Sequence, residues 1–131
     1  MLHNSQSYLS YLPIYKKALE IFSLSRKISS YLNYDLAPLR TNGTEDKHIY
    51  FSGDIVQQSI LLAPEIINAE RERFSNKTHK HVATIERLIN LLYTNCRRLE
   101  CSNSNGKDYL PILRNELKKF SKLQRHWKLT L

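Results

Sequence analysis

The stretch ILLAPEIINAE, residues 60 to 70, decides how many helices the chain has, because a proline stands among its aliphatic residues. Proline inside a helix removes one backbone hydrogen bond and kinks or ends the helix. The residues that keep one helical phase on both sides of the proline are Val56, Ile60, Ala63, Ile67 and Phe74. The sequence therefore predicts a single helix over residues 53 to 73, kinked at Pro64 at a cost of about 3 kcal/mol.

The same helix carries a second apolar row, rotated by about 100° from the first. This row consists of Ile55, Leu62, Ile66 and Ala69. Since one row of a bundle helix faces the core, the second row is buried either by a wide core contact or by another copy of the chain. Leu91, which projects away from the main row of the next helix, favours the oligomer. The predicted interface residues are Ile55, Leu62, Ile66, Ala69 and Leu91.

Composition favours an all-α fold of one domain. The 131 residues are 41% apolar, which is enough to bury a core, and only three glycines and four prolines are present for turns. Residues 1 to 12 are expected to form a polar N-terminal arm, and residues 13 to 131 the domain. A charged loop over residues 33 to 47 and a polar break over residues 102 to 107 separate the helices.

The expected architecture is an antiparallel, up-down four-helix bundle with helices at about residues 13 to 32, 53 to 73, 77 to 100 and 109 to 129. Pro13 and Pro111 suit first helical turns, and either Ser52 or Asp54 is expected to cap the second helix. The apolar row of the first helix is Ile14, Ala18, Ile21, Ser25, Ile28 and Leu32. That of the third is Val82, Ile85, Ile89, Leu92, Cys96 and Leu99, and that of the fourth is Leu110, Leu113, Leu117, Phe120 and Trp127.

No residue pattern predicts catalysis, a cofactor or a metal site. His79 and His81 are two positions apart and would diverge on a helix, where ligands need a spacing of three or four. Glu45 and His48 match half of a di-iron motif once, in a loop. Cys96 and Cys101 have neither redox nor zinc spacing, and Cys96 is interpreted as a core residue. We therefore expect a protein that is not an enzyme.

The net charge of +8 points to an acidic partner, although a basic face that is only solvated has the same composition. The fourth helix carries a row of cations, and the third helix adds arginines. The predicted nucleic-acid-binding residues are Arg87, Arg97, Arg98, Arg114, Lys118, Lys119, Lys122 and Arg125. Trp127 could stack on a base, although its phase favours a core or interface role.

No signal peptide is visible and no apolar stretch reaches the roughly 18 residues that span a bilayer, so we expect a cytoplasmic protein without a membrane partner.

Two stretches resemble a known family. IYKKALEIFSLSRKI, residues 14 to 28, is similar to its opening helix, and QSILLAPEIINAERERF, residues 58 to 74, is similar to an apolar helix in which proline precedes Ile-Ala-Glu-Gly. Here Asn68, Ala69 and Glu70 replace Ala-Glu-Gly. The family comprises the bacterial four-helix-bundle 23S rRNA intervening-sequence proteins and the Avd-like accessory proteins of diversity-generating retroelements. The resemblance implies a ring, usually a pentamer, with a basic surface that binds structured RNA and, in the retroelement branch, a reverse transcriptase.

The sequence thus predicts a homo-oligomeric, non-enzymatic accessory protein that binds nucleic acid, RNA rather than DNA. The alternative is a protein–protein interaction module or scaffold that docks through the second apolar row of helix two and has no nucleic-acid role.

Overall fold

The protein is all-helical in a computed structural model that describes residues 8–131. Five α-helices follow one another over residues 13–128, and residues 8–131 include no strand. They are α1 (Pro13–Leu36), α2 (His48–Ile60), α3 (Leu62–Arg71), α4 (Thr78–Leu99) and α5 (Leu110–Lys128), and a short 3-10 helix (Asn105–Tyr109) precedes α5. The all-α prediction is confirmed. Of the predicted arm, residues 1 to 7 lie outside the described part, while residues 8 to 11 are helical and Leu9 is buried.

One core holds the helices together. α1 packs against α2 and α5, and α4 packs against α2, α3 and α5. The apolar rows predicted for the first, third and fourth helices are buried in this core, as their one-sided spacing indicates. The first helix runs four residues beyond the predicted end because Leu36 is buried and Asp35 accepts a hydrogen bond of 2.6 Å from Ser104 Oγ.

The second helix begins earlier than the sequence predicts, and neither predicted cap is used. Asp46 Oδ1 accepts the backbone N–H of His48 at 3.0 Å, and this bond lowers the pKa of the Asp46 carboxyl group. Ser52 lies inside α2 and is buried, where its hydroxyl group is 2.8 Å from that of Ser29 on α1. Ser52 therefore joins two helices instead of starting one.

The segment predicted as one kinked helix is two helices separated by a single residue. Leu61 is the interruption, and its N–H turns to the Gln58 carbonyl oxygen at 3.3 Å. The cause is Pro64, which has no N–H to offer to the Ile60 carbonyl group four residues before it. The break thus lies one turn ahead of the proline, and Pro64 occupies the first turn of α3.

Of the two apolar rows of this segment, the second makes the core contact that was one of its two predicted roles, and the first does not face the core. Ile55, Leu62, Ile66 and Ala69 have no exposed surface in the single chain, so they cannot meet a second copy and the predicted interface is wrong at all four positions. The row expected to face the core lies at its edge or outside it. Its members Val56, Ala63 and Ile67 are partly buried, Ile60 is 49% exposed and Phe74 is fully exposed. Leu91 is 42% exposed and remains available.

Candidate nucleic-acid interface

A groove runs along the outer side of the two longest basic helices, α4 and α5. The helices are antiparallel, since Glu86 contacts Gln124 and Lys128 while Glu100 contacts Arg114. The groove has a volume of about 500 Å³. Its lining consists of Ile89, Asn90, Tyr93 and Thr94 from α4 and Leu117, Lys118, Ser121, Lys122 and Arg125 from α5. An apolar floor with polar and cationic rims results.

The cationic rim comes from one face of α5. Lys118, Lys122 and Arg125 follow a spacing of four and three, which places their side chains above one another on the helix. All three are exposed, and none forms an ion pair with any residue in the range 8–131. Their charges are thus available to an external anion.

Two other predicted residues of α5 are engaged within the protein. Arg114 is partly buried and donates to the Glu100 carboxylate, and its hydrogen bonds with Tyr93 and Glu100 raise the pKa of the guanidinium group. Lys119 pairs with Glu116 at 3.1 Å. These two cations neutralise internal carboxylates, which weakens the case for them as phosphate ligands.

The three predicted arginines of α4 differ in the same way. Arg98 lies over the ring of Phe51, 5.0 Å from its centre, and donates to Asn95 Oδ1 at 3.3 Å, so it is held against α2. Arg87 and Arg97 are exposed and form no ion pair with a described residue. Arg97 follows Tyr93 by four residues and extends the α4 side of the groove.

At its other end the groove continues into a smaller cleft of about 310 Å³, which shares Ile89, Asn90, Ser121 and Arg125 with the groove and is also lined by Glu86. Glu86 accepts hydrogen bonds from Lys128 at 2.9 Å and Gln124 at 3.2 Å. The bond from Lys128 lowers the pKa of Glu86. Lys128 thus compensates the charge of Glu86, and Arg125 is the cation of this cleft that forms no ion pair with a described residue.

Sequence reasoning missed the neutral polar residues of the groove, Asn90, Thr94 and Ser121. The signal for them was their spacing relative to the basic row: Ser121 lies between Lys118 and Lys122 on α5, and Asn90 and Thr94 are four apart on α4. Amide and hydroxyl groups at these positions could hydrogen-bond to sugar and phosphate oxygens.

The titratable groups outside the groove are dispersed. Residues 8–131 contain no group of three or more His, Cys, Asp or Glu side chains that could hold a metal ion. His81 Nδ1 is 2.8 Å from Glu65 Oε2 and joins α4 to α3, whereas His79 is exposed. Burial raises the pKa of the Cys96 thiol to about 12, and Cys101 is exposed.

Across the described range, every helix is too short or too polar to cross a membrane. Comparison with known proteins gives no match to the chain, whether among family models, curated proteins or solved structures.

Proposed function

We propose that the protein is a non-enzymatic, nucleic-acid-binding accessory protein of the cytoplasm that holds the backbone of structured RNA in the groove between α4 and α5. The observation that carries this proposal is the row of Lys118, Lys122 and Arg125, whose charges are not used by any carboxylate of the described residues. Cations presented in this way attract phosphates and release counterions, which gives affinity without sequence readout.

The polar groups beside the cations support RNA over DNA as the ligand of the groove. Asn90, Thr94 and Ser121 line the groove and offer both donors and acceptors. The 2′-hydroxyl group of ribose is the feature that distinguishes RNA from DNA at such contacts. The resemblance to the 23S rRNA intervening-sequence and Avd-like proteins supports the same choice, and it makes a reverse transcriptase a candidate partner.

The topology proposed for this function is a four-helix bundle in which α2 and α3 together form one arm. The α2–α3 arm and α4 run antiparallel, because Gln58 Oε1 on α2 accepts a hydrogen bond from Asn95 Nδ2 at 3.1 Å while Glu65, further along the arm on α3, contacts His81. The four members are then α1, the α2–α3 arm, α4 and α5.

The experiment is filter binding of a structured RNA hairpin across a salt series. The test variant combines Lys118→Gln, Lys122→Gln and Arg125→Gln. The matched control combines Lys27→Gln, Lys47→Gln and Lys77→Gln, three exposed lysines that do not line the groove and whose loss changes the net charge equally. We expect the test variant to lose at least tenfold in affinity and to lower the salt slope by about 2 to 3, roughly 0.9 for each phosphate that the variant no longer neutralises.

Two results would contradict the proposed function. One is an affinity that does not change with salt. The other is an equal loss in the control variant, which would mean that net charge alone attracts the RNA.

An exposed apolar patch supports a second candidate function, docking to another protein. Ile60 and Leu61 are each 49% exposed, and Leu91 is 42% exposed. Leu61 follows Gln58 by one turn and Leu91 precedes Asn95 by one turn, so both lie on the same side of the Gln58–Asn95 hydrogen bond. This patch replaces the buried row as the surface for a homo-oligomer, a ring of five in the resembling family, or for a protein partner.

Light scattering with Leu61→Ser and Leu91→Ser separates these roles. An oligomer that becomes a monomer in the variant supports assembly through the patch. If the wild-type protein is already a monomer, assembly through the patch is excluded, and the patch would then bind a different protein.

A further inference from the structure

A separate cleft lies where the start of α1 meets the end of α5. It has a volume of about 310 Å³. Tyr8, Pro13, Leu123, His126 and Trp127 line it, together with Arg73 from the turn after α3. Three flat rings and four apolar side chains, those of Pro13, Leu123, Leu12 and Ile14, therefore surround a space of the size that small ligands occupy.

The floor of this cleft is held rigid. Trp127 is 6% exposed, and its indole Nε1 donates to Glu70 Oε1 at 2.6 Å. Arg73 donates to both oxygens of the same carboxylate at 2.8 to 3.0 Å, and also to the backbone oxygen of Thr130. Because the indole N–H is already used and the charge of Arg73 is compensated, the floor offers a fixed apolar surface and not an anion site.

The wall of the cleft is exposed and aromatic. Tyr8 is 54% exposed, and the ring of His126 is also exposed. Aromatic and imidazole rings at such positions stack on nucleobases with little dependence on sequence.

The cations of the groove stand beside this wall on the same helix. Lys122 directly precedes Leu123, and Arg125 directly precedes His126. Adjacent residues of a helix project about 100° apart, so the cationic row and the cleft occupy neighbouring sectors of α5. A nucleotide whose phosphate meets the cations could thus turn its base toward the rings.

We infer that this cleft receives one unpaired base of the RNA whose backbone lies on Lys122 and Arg125. The inference rests on the proposed function and adds to it a preference for RNA with an unpaired nucleotide. Recognition is by stacking, with Tyr8 and His126 as the contact rings and Trp127 beneath them.

The test uses two RNA hairpins that differ only in one bulged adenine in the stem, with the full chain as the protein. Trp127 is the sole tryptophan of the sequence, so its fluorescence reports the cleft without labelling. We expect the bulged hairpin to bind about tenfold more tightly, in line with the value of stacking one base, and to quench Trp127 more strongly than the paired hairpin.

Three variants assign the effect to the rings. Tyr8→Ala and His126→Ala should abolish the preference for the bulge while the paired hairpin binds as before. His126→Phe keeps a flat ring without the imidazole nitrogens and should retain the preference. Tyr34→Ala, at an 85% exposed tyrosine outside the cleft, is the matched control and should change nothing.

Equal, salt-dependent binding of both hairpins, or unchanged Trp127 fluorescence at saturation, would overturn the inference and leave the proposed function standing. Survival of the bulge preference in Tyr8→Ala and His126→Ala would overturn it as well. Failure of both hairpins to bind would remove the proposed function and this inference with it.

Discussion

Trp127 Nε1 donates a hydrogen bond of 2.6 Å to the carboxylate of Glu70, a residue 57 positions earlier in the chain. The Glu70 side chain is 7% exposed, and its carboxylate also accepts hydrogen bonds from two nitrogens of Arg73. One buried carboxylate thus joins the end of α3 to the end of α5.

Replacing that carboxylate should be costly. Glu70→Ala leaves the Arg73 guanidinium group and the Trp127 indole N–H without their acceptor, and we expect the free energy of unfolding to fall by about 3 kcal/mol. Urea denaturation followed by circular dichroism measures it. Glu72→Ala, two residues on and only partly buried, should cost less than about 0.5 kcal/mol. Equal losses in the two variants would mean that the Glu70 bonds contribute nothing specific.

Pro64→Ala tests the division between α2 and α3. Because Pro64 lies in the first turn of α3, where its missing N–H breaks no bond of that helix, we expect the free energy of unfolding to change by less than about 1 kcal/mol. Pro111→Ala, in the first turn of α5, is the matched control and should behave alike. A continuous helix strained by its proline would instead gain about 3 kcal/mol in the Pro64 variant.

Two glycines should respond oppositely to alanine. At Gly53, inside α2, an added methyl group meets no atom beyond the local helix backbone within 4 Å, so Gly53→Ala should stabilise the protein by about 0.5 to 1 kcal/mol. At Gly106 the methyl group would lie 3.2 Å from Tyr31 Cβ and 3.3 Å from Leu32 Cδ2 on α1, so Gly106→Ala should destabilise it by about 1 kcal/mol or more. Thermal denaturation measures both effects. Melting temperatures that shift in the same direction in the two variants would contradict the prediction.

Alanine should also have opposite effects on stability at two serines that lie one turn apart on α1. Ser25 Oγ is buried and has no hydrogen-bond partner among the described residues, so Ser25→Ala should raise the free energy of unfolding by about 1 kcal/mol. Ser29 Oγ, by contrast, contacts both the hydroxyl oxygen and the carbonyl oxygen of Ser52 on α2. Ser29→Ala should therefore lower the free energy of unfolding by about 1 kcal/mol. Chemical denaturation compares them directly. A loss at Ser25 as large as that at Ser29 would refute the distinction.

The Lys17–Glu116 pair should make stability depend on pH. The hydrogen bond from Lys17, at 2.8 Å, lowers the pKa of Glu116 below its ordinary 4.5. This stabilisation is therefore present above pH 4.5 and is lost as the pH falls through the lowered value. Urea midpoints at about pH 6 and about pH 3 should differ less in Glu116→Gln than in the wild type.

The control for the pH experiment is Glu20→Gln, which removes the other carboxylate that Lys17 contacts. Glu20 is 61% exposed, so solvent screens its pairing and the acid dependence should stay close to that of the wild type. An unchanged acid dependence in Glu116→Gln would show that the pair has no role in it.

Periodicity predicted the core wherever a helix has one apolar row. The rows of α1, α4 and α5 are buried as expected, because polar residues cover their other faces. The arm of α2 and α3 has two rows, and periodicity cannot say which of two apolar faces meets the core. Tertiary bonds such as Ser29 to Ser52 and Thr78 Oγ1 to the Ala69 oxygen distinguish them in the structure, and neither can be read from local sequence.

The basic surface was predictable as a row but not residue by residue. Lys118, Lys122 and Arg125 stay available, while Arg114 is neutralised by Glu100, which lies 14 positions earlier on the opposite side of the α4–α5 turn. Such pairing depends on how two helices dock. Spacing within one helix locates the cations, and only the fold shows which of them have a partner.

The two cysteines allow the opening of α4 to be timed. Cys101, exposed just beyond the helix, can react with an alkylating reagent in the folded protein, whereas Cys96 is buried and its thiol has a pKa of about 12. A first modification therefore marks every molecule, and a second marks only those in which the helix has separated from the core. Mass spectrometry of the doubly modified fraction over time would give the rate of that separation, with and without RNA.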